Sequence, residues 1–229
     1  MVKGGESARS HRHTPNAMRI ILESVDNTYT IVDGVKVPML PGDVLLTPNW
    51  CYHGHSNESD QEAYWVDFLD APLVQMLGPM FFEVHPDTLE GAHRVAAASP
   101  MRFAYADYKP RLLAAPEQVA GVRTLELGPP RIASFDRVAV SLGAGAEWAR
   151  PRTTVNAIYT VIEGSGEAQA AGESWRWERG DMFAVPSWFE SRLAASCDAV
   201  LIRVSEEPLL RMLDWVRAGS ASHGTDPAH

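Results

Sequence analysis

Three histidines stand at spacings that suit one shared metal ion: His11 and His13, separated by a single residue, and His53 further along. Side chains alternate faces along an extended strand, so His11 and His13 point the same way and can hold one ion between them. The pair sits in Gly5-x5-His11-Arg12-His13, and the third histidine in Gly42-x5-Pro48-x4-His53-x3-Asn57. Gly42 and Pro48 form turns, and the run Asp43-Val-Leu-Leu-Thr47 between them reads as a buried strand that brings His53 from across a barrel. Three imidazoles without a thiolate suit iron, zinc, copper or nickel, and leave coordination positions open.

Such a set needs strands to position it, and the chain supplies them twice. Gly42-Asp-Val-Leu-Leu-Thr-Pro48-Asn-Trp50 returns as Gly180-Asp-Met-Phe-Ala-Val-Pro186-Ser-Trp188, an offset of 138. Asn16-Ala-Met-Arg-Ile-Ile-Leu-Glu23 returns as Asn156-Ala-Ile-Tyr-Thr-Val-Ile-Glu163, an offset of 140, and the difference fits a turn shortened by two residues. Each copy holds apolar strands, such as Tyr29-Thr-Ile-Val32 and Ala199-Val-Leu-Ile-Arg-Val204, separated by turn signals such as Asp33-Gly34 and Gly164-Ser-Gly166. The expected fold is all-β, two double-stranded β-helix (jelly-roll) barrels. Where the first copy has His11, His13 and His53, the second has Pro151, Thr153 and Ser191, so a metal belongs to the first copy alone.

The expected organisation rests on these copies. Residues 1–70 form the metal-binding barrel, 71–123 a linker with short helices, 124–205 a second barrel without ligands, 206–218 a C-terminal helix, and 219–229 a flexible tail. In the linker, Pro72-Leu-Val-Gln-Met-Leu-Gly78 reads as one helix, and residues 92–99 and 111–115 as others. Leu209, Met212, Leu213 and Val216 recur at helical spacing, so an amphipathic helix is predicted from Glu206 to Arg217.

Composition narrows the functional classes. The 229 residues are 45% hydrophobic and 21% charged, with a formal net charge of -9. No basic run is present, so neither nucleic acid nor an anionic membrane surface is an expected partner. No apolar stretch approaches the roughly 18 residues of a spanning helix, and the N-terminus has no apolar core of a signal peptide. The expected compartment is the cytoplasm. Two distant cysteines, Cys51 and Cys197, agree with a reducing environment, and Cys51 reads either as a small buried residue or as a thiol near the metal.

The residues around the histidines resemble a known family. The run Gly5-Glu-Ser-Ala-Arg-Ser-His-Arg-His-Thr14, with Ala17-x-Arg19, Glu23, Gly42-Asp43, Thr47-Pro48-x-Trp50, His53-x-His55 and Trp65-x-Asp67-x-Leu69-Asp70, is similar to the bicupin gentisate 1,2-dioxygenases and their salicylate and 1-hydroxy-2-naphthoate relatives. Many cupins add a glutamate after His-x-His; this family does without it, and Thr14, Pro15, Asn16 and Ala17 come next here. The resemblance implies a non-haem Fe(II) held by His11, His13 and His53, with a small hydroxylated aromatic acid and O2 as reactants. Gentisate would open between its carboxyl-bearing and adjacent hydroxyl-bearing carbons, giving maleylpyruvate. It also implies a homo-oligomer.

Three further residues match family positions beside the substrate. Arg19 would orient a carboxylate, His55 would hydrogen-bond or move a proton, and Asp67 would fix the ring hydroxyl. The bland alternatives are a solvated strand arginine, an exposed loop histidine and a turn-capping aspartate. Trp50 and Trp65 read as pocket walls or as plain core. His85, His93, His223 and His229 lack ligand spacing.

The repeat also predicts a gap. At the offset of 140, Met1 corresponds to Ser141, so Arg131-Ile-Ala-Ser-Phe-Asp-Arg-Val-Ala-Val140 has no counterpart in the first copy. The first barrel is therefore expected to lack its opening strand and to carry an exposed edge. This expectation keeps an alternative in view, a non-catalytic cupin that binds metal or a small aromatic ligand without turnover.

Overall fold

In the computed structural model, described over residues 1–96, 98–128 and 132–219, the apolar runs become strands wherever turn residues interrupt them. The first copy gives β1 (Ser7–His13), β2 (Ala17–Glu23), β3 (Thr28–Val32), β4 (Val35–Pro38), β5 (Val44–Thr47), β6 (His53–Asn57) and β7 (Tyr64–Leu69). Between the copies run α1 (Ala71–Leu77), β8 (Phe82–Val84), β9 (Arg94–Val95), β10 (Arg102–Phe103), α2 (Tyr105–Leu113), β11 (Glu117–Val119) and β12 (Val122–Glu126). The second copy gives β13 (Asp136–Leu142), β14 (Glu147–Arg150), β15 (Ala157–Glu163), β16 (Ser165–Ala170), β17 (Glu173–Glu178), β18 (Met182–Val185), β19 (Ser191–Ala195) and β20 (Ala199–Ser205), with α3 (Glu207–Met212) after them.

Two units result, one of Met1–Arg111 with Leu127–Ile132, the other of Leu112–Glu126 with Ala133 onward. In the first, one sheet has the order β8-β1-β6-β3-β4-β9 and the other β10-β5-β2-β7. In the second, the orders are β11-β12-β13-β20-β15-β18 and β14-β19-β16-β17. Among the described residues, pairing is antiparallel except between β4 and β9.

Turn chemistry carries the repeat. Asp33 and Gly34 have φ of 45° and 73°, the left-handed pair that closes a two-residue hairpin between β3 and β4. Gly42 and Gly180 are left-handed at 82° and 92°, and so are Trp50 and Trp188 at 59° and 67°. Asp43 and Asp181 each turn a carboxylate back onto a backbone N–H three residues earlier, Leu40 at 3.1 Å and Glu178 at 2.9 Å. Equivalent residues thus make equivalent turns.

The segment expected to be a linker is built into both units. Strands β8, β9 and β10 add to β1, β4 and β5, while β11 and β12 extend the sheet of the second unit. Buried Asp43 anchors this addition by accepting from Arg102 Nε at 2.7 Å and from the Tyr105 N–H at 2.9 Å. α1 matches its predicted range. The described residues of 92–99 form no helix: Arg94–Val95 pairs as β9, because the left-handed turn at Gly34 presents its carbonyl to the N–H of His93 at 2.8 Å. Helix α2 begins earlier than Arg111 and stops at Leu113.

The C-terminal helix is shorter than its periodicity suggested. It ends at Met212 because Asp214 takes a left-handed φ of 55°, and the chain then turns back so that Arg217 O accepts the Thr154 N–H at 3.0 Å. The tail expected over 219–229 lies outside the described residues from 220 on. Among the described residues, no helix is long and apolar enough to cross a membrane.

The interiors differ in content. The second unit is filled by Val140, Tyr159, Val161, Trp177, Phe183 and Leu201. Burial of such side chains contributes about 1.5–3 kcal/mol each. The first unit has an apolar cluster of Ile21, Val37, Met39 and Leu45, and it also buries polar groups such as Arg19, Thr30, His53 and His55.

Candidate metal centre

The histidines converge from neighbouring strands. His11 on β1 lies opposite His53 on β6, so His53 arrives from the adjacent strand and not from across the barrel as its flanking turns suggested. A one-residue bulge in β1, between Ala8 and His11, sets this pairing. Bulges re-aim side chains in this way. Ligand atoms of His11, His13 and His53 all lie within 4.8 Å of one another.

Each ring is fixed by its own backbone. Nδ1 of His11 lies 2.9 Å from Arg9 O, Nδ1 of His13 lies 2.8 Å from Pro15 O, and Nδ1 of His53 lies 3.0 Å from Cys51 O. A carbonyl can only accept, so each Nδ1 is the protonated nitrogen and each Nε2 keeps its lone pair for a ligand. The donor set therefore fits a metal ion that takes neutral imidazoles, with the outer hydrogen bonds such sites use to orient their ligands.

Burial favours the uncharged form of His13, His53 and His55. It pushes His53 down to about 3, with Arg19, His11 and His13 adding in the same direction. His13 is lowered chiefly by burial, and His55 falls well below the usual imidazole range from burial and from the facing Arg19. Neutral rings can bind metal without first releasing a proton.

Beside the triad lies a buried polar chain. Arg19 on β2 is 3% exposed and faces Asp67 on β7, with Nε 3.0 Å from Asp67 Oδ1. Its Nη1 lies 2.8 Å from His55 Nδ1 and also touches His55 Nε2. Burial pulls the guanidinium pKa down, and Asp67 opposes that pull. The ring centroids of His55 and His53 are 6.1 Å apart, which ties the chain to the triad. The sequence brought Arg19 inward on the assumption of an unbroken strand from His13. In fact the strand breaks after His13 and restarts at Ala17, and the break preserves the inward face.

Some contacts were not legible beforehand. Trp65 donates its indole N–H to Asp67 Oδ2 at 3.1 Å and sets its ring edge-on to His55, 5.4 Å between centroids. Phe82, from the segment taken as linker, stacks on His11 at 5.0 Å. The Phe81-Phe82 pair was the available signal. Trp50 is not core: it is 42% exposed and takes the Arg12 guanidinium over its ring at 4.6 Å. Cys51 is a half-buried thiol pushed up to about 12 by burial and by Asp33, and it is not among the three converging residues His11, His13 and His53. His85 stacks edge-on with Tyr52 and accepts the Asp87 N–H, away from the triad.

Two jelly-roll units, one of them holding three convergent neutral imidazoles, define a bicupin with a candidate metal centre. Residues 1–69 match the family model described as Cupin domain. A gentisate 1,2-dioxygenase from a Streptomyces species is 32% identical, over 95% of this chain and 71% of the relative. A 5-aminosalicylate 1,2-dioxygenase from a Comamonas species is 31% identical, over 95% of this chain and 66% of the relative. The salicylate 1,2-dioxygenase of Pseudoaminobacter salicylatoxidans, solved with gentisate, superposes with a TM-score of 0.88 at 28% identity, covering 97% of this chain and 70% of that one. The chain belongs to the bicupin family of gentisate 1,2-dioxygenases and their salicylate and 1-hydroxy-2-naphthoate relatives, a family of ring-cleaving oxidoreductases.

Proposed function

We propose that this chain is an Fe(II)-dependent dioxygenase that binds gentisate or a closely related hydroxylated aromatic acid together with O2. It would open the ring between the carboxyl-bearing and adjacent hydroxyl-bearing carbons, turning gentisate into maleylpyruvate with both oxygen atoms retained. One observation carries the reading: three Nδ1–H groups are each tied to a carbonyl two residues away, leaving three Nε2 lone pairs free within one site. His11, His13 and His53 would hold the ion. When bound, Fe(II) supplies open coordination positions and redox chemistry that bring the aromatic acid and O2 together.

The remaining roles fall to the chain. Arg19 offers a fixed, buried positive charge to an anionic aromatic acid, and its pairing with Asp67 keeps the guanidinium from rotating away. Neutral His55 can accept the proton of a ring hydroxyl or donate to its oxygen. Asp67 aligns Arg19 and presents a carboxylate to the same hydroxyl. The uncharged triad leaves the metal's positive charge to be matched by the substrate anion. Homo-oligomeric assembly and a cytoplasmic location complete the proposal.

The test is reconstitution with Fe(II) under reducing conditions, then measurement of oxygen uptake and ring-cleavage absorbance with gentisate, salicylate and 1-hydroxy-2-naphthoate. Failure to consume any of them in metal-loaded protein would overturn the enzymatic reading. Binding without turnover is a second reading, favoured by one observation: inward-facing Asp67 and Leu69 are 38% and 42% exposed. A rise in melting temperature with gentisate, but no product, would mark it.

A further inference from the structure

The second barrel holds a polar cluster on the rungs where the first holds its histidines. In the first unit His11 stands opposite His53. In the second unit the residue opposite Ser191, the counterpart of His53, is Arg150, because β14 runs in unbroken register and lacks the bulge that β1 carries between Ala8 and His11. Arg150 therefore takes the rung of His11. Tyr159 and Arg203 pair across β15 and β20 as Arg19 and Asp67 pair across β2 and β7.

These four side chains share the inward face. Tyr159 belongs to the second core, and Arg150, Ser191 and Arg203 each stand two residues from a member of it or a residue packed against it: Trp148, Leu193 and Leu201. Half-buried Arg150 is the member that solvent reaches, while Tyr159 is fully buried and Ser191 is 5% exposed.

The cluster is rich in donors and short of acceptors. Arg150 Nη1 donates to Tyr159 Oη at 2.8 Å, and its guanidinium lies 5.3 Å from the centre of the Trp148 ring; among the described residues no carboxylate pairs with it. The Tyr159 hydroxyl accepts that bond, and its own proton finds no acceptor among the described residues. Ser191 Oγ and Arg203 Nε have no hydrogen-bond partner. Arg203 has its charge matched already, with Nη2 2.7 Å from Asp136 Oδ2 and 3.7 Å from Glu207 Oε2. One unmatched positive charge and three unspent N–H or O–H groups remain. Burying a donor without an acceptor is unfavourable, and a single anionic acceptor answers both deficits.

We propose that the second barrel binds a small monovalent anion, the carboxylate group of a small organic acid, held by the Arg150 guanidinium and the hydroxyls of Tyr159 and Ser191. A carboxylate supplies acceptors only, and its two oxygens suit a guanidinium fork. A dianion such as sulfate suits the cluster less well, because one positive charge is left to match it. Equivalent rungs of the two barrels thus serve opposite ends: imidazole lone pairs that suit a cation in the first, N–H and O–H groups that suit an anion in the second. This site is separate from the metal centre and does not rest on the dioxygenase reading.

The test titrates the metal-free full chain, labelled with nitrogen-15, with sodium formate and separately with sodium sulfate, read by amide and arginine Nε chemical shifts. Formate should shift the Arg150 and Ser191 amides and the Arg203 Nε–H along one saturable curve, in the millimolar range that about three heavy atoms allow. Tyr159→Phe and Ser191→Ala, which each remove one hydroxyl, should weaken formate binding about three- to tenfold. Ser191→Ala also separates ligand from scaffold: its hydroxyl has no partner in the protein, so without formate the melting temperature should not fall, while the rise produced by formate should shrink. Four results would overturn the proposal: no saturable shift at Arg150 and Ser191, shifts confined to the first unit, sulfate binding as tightly as formate, or unchanged formate affinity in both hydroxyl variants.

Discussion

Arg19 and Asp67 face each other across the β2–β7 pair, with the guanidinium Nε 3.0 Å from the carboxylate, one side chain buried and the other reaching the surface. The asymmetry decides which loss matters. Asp67→Asn leaves a buried cation without its counter-charge, whereas Arg19→Met leaves a carboxylate that water can reach. Removing one partner of a buried pair costs about 3–5 kcal/mol, and the exposure of Asp67 reduces this to about 2 kcal/mol. In urea unfolding, Asp67→Asn should be the more destabilising of the two; the reverse order would contradict the assignment.

Metal content should track the tautomer lock. His11→Ala, His13→Ala and His53→Ala each remove one of three nitrogens, so elemental analysis after Fe(II) loading should fall from about one ion per chain to about a tenth or less. His85→Ala and His93→Ala should leave it unchanged. Retention of metal by His13→Ala would dismiss the three-histidine site.

Acid should destabilise the metal-free chain through its buried imidazoles. His53 is held at about 3, and His13 and His55 below the usual 6.5, while the unfolded chain titrates near that value. Between those limits the unfolded state binds more protons, so stability rises with pH and is lost as pH falls from about 6.5 toward 3. Each such group adds up to about 1.4 kcal/mol per pH unit. Melting temperature measured at pH 7, 6, 5 and 4 should therefore fall, and His53→Ala should flatten the slope.

Gly54 lies between His53 and His55 but faces away from them. A Cβ there would sit 2.3 Å from Ser10 Oγ and 3.2 Å from Ala8 O, inside the bulge that sets His11 opposite His53. Gly54→Ala should cost about 1–3 kcal/mol by overpacking. It should also weaken metal retention in dialysis against a chelator, although it alters no ligand. Unchanged retention would separate the bulge from the site's geometry.

Trp65→Phe keeps an aromatic ring beside His55 and deletes the indole N–H to Asp67. A loss of about 1 kcal/mol is expected. With Asp67→Asn as background, the same change should cost less, because the charged acceptor is already gone. Full additivity in this double-mutant cycle would remove Trp65 from the chain that orients Arg19.

Much of this was legible in the residues, and the misses share a cause. The face shared by His11 and His13 comes from strand alternation, and the two-barrel organisation from a repeat whose glycines and tryptophans recur as left-handed turns. The alanines of residues 92–99 mislead because alanine content speaks only for local preference, while the Gly34 carbonyl and the edge of β4 capture that backbone. Residues 71–123 looked like a linker because the strands lying wholly within them are two or three residues long, below any period that a pattern can show.

By itself the sequence determined the ligand types, their common face, the absence of equivalents at Pro151, Thr153 and Ser191, and the turns that repeat. Those properties depend on residues near one another, where alternation and φ preferences act. Only the tertiary structure decided that His53 arrives from the strand beside His11 and that Arg19 meets Asp67. These depend on register between distant strands, where one extra residue in β1 re-aims the histidines beyond it and only the packed barrel selects the pairing.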